Sequence, residues 1–138
     1  MKNYLNKLAA LLAFGIGAMA IYAGLKPLLG NNPGYNVLNW LPLYNYTMGI
    51  LTVFITAVLI WKKSRFAIPT AIGTFAIHSF VMIILQIAYR GIVAPDSLQA
   101  MMIRVIVWTL ILGLMFPQSR KELSRLRLNR SANEHSLE

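Results

Sequence analysis

LPLYNYTMGILTVFITAVLIW (Leu41–Trp61), then KKSR (residues 62–65), then FAIPTAIGTFAIHSFVMIILQIAY (residues 66–89) is the stretch that decides the fold. Its two long runs, of 21 and 24 residues, hold no Asp, Glu, Lys or Arg. A helix rises ~1.5 Å per residue, so about 20 apolar residues cross the ~30 Å hydrocarbon core of a bilayer. Within that core the backbone must satisfy its own hydrogen bonds, which leaves helices or closed barrels. Neither run alternates with the two-residue period of a barrel strand. The stretch therefore reads as an antiparallel helical hairpin closed by a short cationic turn.

Two more runs flank it. Residues 8–25 are free of charge between Lys7 and Lys26, and residues 98–117 carry a single charge, Arg104. The expected architecture is all-α: an integral membrane four-helix bundle over residues 1–117, with spans at about 8–25, 41–61, 66–89 and 98–117. A basic amphipathic tail, residues 118–138, follows it. Lys2, Lys7 and the small residues Ala18-Met19-Ala20 imitate a cleavable signal peptide, but the apolar run continues to Leu25, so a retained helix is expected.

Composition agrees. The 138 residues are 57% hydrophobic and 12% charged, with a mean hydropathy of +0.59, whereas soluble domains carry about 25% charged residues. This excludes an ordinary soluble enzyme, a disordered chain and a nucleic-acid binder with a basic face. The absence of cysteine excludes disulfides, thiolate metal sites and cysteine nucleophiles.

The charges also orient the chain. Of 13 Lys and Arg, ten lie in the N-terminus (Lys2, Lys7), the second loop (Lys62, Lys63, Arg65) and the tail (Arg120, Lys121, Arg125, Arg127, Arg130). The positive-inside rule then places both termini in the cytoplasm, in a bacterial inner membrane, with the tail lying on the anionic leaflet. Tyr35, Trp40, Tyr44 and Tyr46 would form an aromatic belt on the outer side. The loop between Lys26 and Leu41 is rich in Pro, Gly and Asn interleaved with apolar residues, and reads as an aromatic-anchored connector or as a lid over an outer cavity. Pro95-Asp96-Ser97 would begin the fourth helix, capped by Asp96 or Ser97, and Pro117 would close it. Residues 131–138 read as frayed, the final Leu137-Glu138 as an added remnant.

Polar groups at membrane depth are where function is sought. The third run spaces Thr70, Thr74, His78, Met82 and Gln86 by four. The second carries Asn45, Gly49, Thr52 and Thr56, and the fourth Met101, Arg104, Trp108 and Met115. In the first, Ala13, Gly17, Ala20 and Gly24 continue from Ala9 as a small-residue seam for close helix packing, against this chain or a second subunit. Arg104 falls about 9 Å below the outer end of its helix. It reads as a snorkelled or Gln86-paired arginine, or as a cation in an outer cavity holding a lipid phosphate, a carboxylate or a quinone carbonyl. His78, about 18 Å along its helix, reads as a neutral histidine bonded to Thr52, Thr56 or Thr74, or as a haem ligand. Arg104, His78, Gln86, Asn45, Thr52 and Trp108 are thus the ligand-binding candidates. No catalytic constellation and no metal-ligand set is evident, and no cofactor is indicated.

Tyr22-Ala23-Gly24-Leu25-Lys26 closing the first helix, Met48-Gly49-Ile50 opening the second and Trp61-Lys62-Lys63-Ser64-Arg65 at its end give a layout that resembles the small DoxX-like bacterial four-helix membrane proteins. The resemblance implies an inner-membrane subunit, associated in some relatives with quinone-linked sulfur oxidation; it carries over no catalytic residue. The expected function is that of a non-enzymatic accessory, assembly or lipid-binding protein. Its partners would be membrane lipids and a homo-oligomer or larger membrane complex. The alternatives are a small oligomeric transporter or channel for an anionic or amphiphilic solute, and a quinone- or haem-binding redox subunit.

Overall fold

A computed structural model of the chain describes residues 2–32 and 34–135; the last dipeptide lies outside the described residues. It contains four helices: α1 (Lys2–Leu28), α2 (Leu41–Trp61), α3 (Ala67–Ile87) and α4 (Pro95–His135), and no strand among the described residues. All four are long and apolar enough to cross a membrane. One end of the bundle, the loop end, carries residues 29–40 and 88–94, and the other, the termini end, carries the turn at 62–66 and the start of α1.

α1 packs most extensively on α2 and also on α4, α4 packs on α3, and α3 meets α2 near its middle. Small residues permit the tightest of these contacts. A Cβ built on Gly24 would lie 2.5 Å from the Pro42 carbonyl oxygen and from the Tyr46 nitrogen, and one on Gly49 would lie 2.7 Å from the Ile21 nitrogen. Backbone meets backbone there, which only glycine allows. Gly17 faces Thr52 and Val53, so Gly17 and Gly24 of the seam meet α2 within one chain, and Ala13 and Ala20 are buried on the same helix.

At the termini end, Ala9, Ala10, Ala13, Ala57, Ala67 and Ala71 surround Trp108 and Ile111. Six small side chains leave space that one fully buried indole fills, the large-against-small complementarity by which helical cores reach close packing. At the loop end, Leu41, Val81, Leu85 and Met101 form a second core, over which Val37, Leu38 and Trp40 of the long loop fold down. That loop is therefore packed on the bundle.

Four local expectations are corrected. Pro27 lies inside α1, in its last turn, and Pro117 lies inside α4. A proline removes one hydrogen bond and crowds the preceding turn. Near a helix end that loss is small, and beyond Pro117 the residues Arg120, Lys121, Leu123, Arg125, Leu126 and Arg127 are good helix formers that carry the helix on. Residues 131–135, expected to fray, are helical too. Lastly, α4 begins at Pro95, so Asp96 stands in the first turn and Ala94 occupies the cap, its carbonyl accepting from the N–H groups of Ser97 and Leu98. Proline's fixed φ suits the first helical position, which moves the start ahead of the polar residues.

Two features had no sequence signal. α2 contains a π-turn at Thr52–Thr56, where the Ala57 N–H donates five residues back to the Thr52 carbonyl. The inserted residue turns Thr56 toward α3, with its Oγ1 3.5 Å from that of Thr74. At its other end α2 stops in a Schellman motif: Ser64 N–H donates to Leu59 O and Lys63 N–H to Ile60 O. Lys63 takes the left-handed position that glycine usually fills, φ 54°, alone in this among the described non-glycine residues. Left-handed backbone costs a side-chain-bearing residue roughly 1–2 kcal/mol.

Candidate anion site at the loop end

α2 and α4 both begin at the loop end and run in the same direction, so the first turns of α2 lie level with the first three turns of α4. Asn45 and Arg104, 59 residues apart, meet there: Arg104 Nη1 donates to Asn45 Oδ1 at 2.6 Å. Arg104 is 5% exposed. A guanidinium has five N–H donors and keeps its charge in a protein interior. Among the described residues its one hydrogen-bond partner is this neutral amide, and no carboxylate forms an ion pair with it. Removing a charge from water costs several kcal/mol unless a counter-charge or further hydrogen bonds replace the solvent.

Arg104 and Asn45 line a small cavity of about 40 Å³ with Ser97 of α4, Met101 and, from the long loop, Tyr35 and Val37. By the usual allowance of ~10–15 Å³ per water, it holds about three waters or one compact anionic group. Tyr35 and Val37 belong to its lining, so the loop contributes to the site as well as packing on the bundle.

Next to Asn45, Tyr44 reaches the other way. Its hydroxyl lies 2.5 Å from Nδ1 of His78 on α3, and the two rings stand edge to face, 5.8 Å apart at 87°. With the phenol donating, the imidazole keeps its proton on Nε2. Trp40 packs on Tyr44 at 6.2 Å and on Tyr89 at 6.1 Å, so an aromatic column runs from the loop end to His78. Adjacent residues on a helix point about 100° apart; Tyr44 and Asn45 use that angle to tie α2 to α3 and to α4.

The sequence candidates therefore divide. Arg104 and Asn45 come together. His78 is buried but bonds Tyr44, in place of Thr52, Thr56 or Thr74. Thr52 is buried at the π-turn against Gly17. Trp108 sits in the alanine core, its Nε1 without a partner. Gln86 is exposed beside fully buried Leu85, on the outer face of α3, and does not pair Arg104. From the sequence, Tyr44 and Tyr35 are expected only in the outer aromatic belt. The adjacency of a tyrosine and an asparagine one turn into a span was the available signal for a two-way polar anchor. Arg120, Lys121, Arg125, Arg127 and Arg130 stand exposed along the extension of α4.

The fold and site define an all-helical bundle with four helices of membrane-spanning length and a lone buried cation beneath its long loop. No family model, curated protein or solved structure matches the chain.

Proposed function

We propose that this chain is a non-enzymatic, multi-pass protein of the inner membrane that holds the anionic group of an amphiphile, a lipid phosphate or carboxylate, at Arg104. In this reading both termini are cytoplasmic and the site opens to the outer leaflet. One observation carries it: a buried guanidinium with a single neutral partner beside a cavity large enough for an anionic group. An intramembrane arginine is costly, by ~2.5–3.5 kcal/mol at a helix centre on insertion scales, and an anion seated against it offsets that cost. The amphiphile's chains would lie along the apolar outer surfaces of the helices, where Phe80, Ile83, Ile87 and Ile106 are exposed. The exposed basic stretch of α4 supports a second contact with anionic lipid at the opposite surface.

The test is extraction of co-purifying lipid from wild type and Arg104→Gln. A loss of about one anionic amphiphile per chain in the variant relative to the wild type supports the proposal. Equal amounts in both overturn it.

A further inference from the structure

A second cavity, of about 160 Å³, lies at the termini end. Every part of the chain that reaches that end contributes to it: Asn6 of α1, Lys63, Ser64 and Arg65 of the turn, and Ser119 of α4 supply its polar wall. Its floor is the fully packed core, through Ile60, Ala67 and Met115. Two cations, two hydroxyls and an amide converge on a concave space four times the size of the loop-end cavity. By the same allowance per water it accepts a group of several heavy atoms with its hydration.

The backbone adds an independent point. Lys63 occupies the left-handed position of a Schellman motif, where glycine would be unstrained. Strain of this sort marks positions where a side chain is needed for something other than the turn itself. The side chain that the strain retains is one of the cavity's two cations. Arg65 stands across the turn, its guanidinium 4.7 Å over the ring of Phe66, which restricts its orientation.

We propose that this cavity binds the phosphate group of an anionic phospholipid, with Lys63 and Arg65 as the charge partners and Ser64, Ser119 and Asn6 as hydrogen-bond donors. Basic pockets between spanning helices suit such headgroups. The proposal stands apart from the loop-end site, uses none of its residues and holds whether or not Arg104 carries a ligand.

Lys63→Gly provides the test, because it removes the cation and relieves the strain together. Purified wild type, Lys63→Gly and Arg65→Gln are each mixed in detergent with phosphatidylglycerol or with phosphatidylcholine, and retained lipid is counted by native mass spectrometry. The expected result is one more phosphatidylglycerol than phosphatidylcholine retained through this site, and loss of that one in both variants, while Lys63→Gly melts at a higher temperature than wild type. An Arg104→Gln control should keep it. Unchanged phosphatidylglycerol retention in Lys63→Gly and Arg65→Gln would overturn the proposal. So would inorganic phosphate that displaces the lipid fully at millimolar concentration, since the site would then belong to the free ion.

Discussion

Asn45 accepts a 2.6 Å hydrogen bond from Arg104 across 59 residues of sequence, and it is the one partner of that guanidinium among the described residues. Charge-assisted bonds contribute about 1.5–3 kcal/mol, and a buried group left without its partner bears its desolvation cost alone. Asn45→Leu is therefore expected to lower stability by ~2 kcal/mol or more, read as thermal unfolding in detergent. Asn45→Asp is expected to hold or raise stability, because the added carboxylate becomes the missing counter-charge.

The neighbouring contact behaves differently. Half-buried Tyr44 and buried His78 form a side-chain pair 2.5 Å apart. Tyr44→Phe should cost ~1–2 kcal/mol by stranding the imidazole nitrogen. A double-mutant cycle with His78→Leu should recover a coupling of about 0.6–1.7 kcal/mol, the range of hydrogen bonds between spanning helices. Zero coupling would mean that the pair does not join α2 to α3.

Glycine substitutions separate close helix contact from mere flexibility. Gly24→Ala would drive a methyl group into the backbone of α2 and should destabilise by ~1–3 kcal/mol. Gly15→Ala meets nothing within 4 Å and should be neutral or slightly stabilising through helix propensity. Parallel melting curves distinguish the two.

What was legible in the sequence was whatever charge and length alone decide. The hairpin of α2 and α3 follows from two charge-free runs around Lys62-Lys63-Ser64-Arg65. The small-residue face of α1 could be read from Ala13, Gly17, Ala20 and Gly24, although the sequence could not say that it meets α2 of the same chain. Partners across helices were not legible, because they depend on how each helix is rotated about its axis. Spacing by four placed Gln86 on the stripe of His78, yet a stripe drifts about 40° per step, and two steps carry Gln86 from the buried face to the exposed one. The π-turn adds a residue that no periodicity announces. The prolines misled in the opposite direction: Pro27 and Pro117 are strong local signals that the flanking helix overrode.

The continuity of α4 through Pro117 can be measured directly, since the chain has no cysteine to compete with introduced labels. Leu110 and Leu128 are both exposed and lie 18 positions, five turns, apart on one face. Spin labels at Leu110→Cys and Leu128→Cys should give a narrow distance near 27 Å, at ~1.5 Å per residue. A broad distribution or a markedly shorter distance would mean that the helix breaks at the proline.

The claim at the centre is that Arg104 holds an anion. Native mass spectrometry of the detergent-purified protein, gently activated, tests it most directly when wild type is compared with Asn45→Asp and Arg104→Gln. The wild type should carry a reproducible added mass on its 15.5 kDa chain, matching an anionic lipid or a carboxylate. One such mass, beyond any lipid lost on Lys63→Gly, should vanish from Arg104→Gln, which lacks the cation, and from Asn45→Asp, which keeps the fold but supplies its own anion. An identical added mass in all three, or none in the wild type, would contradict it.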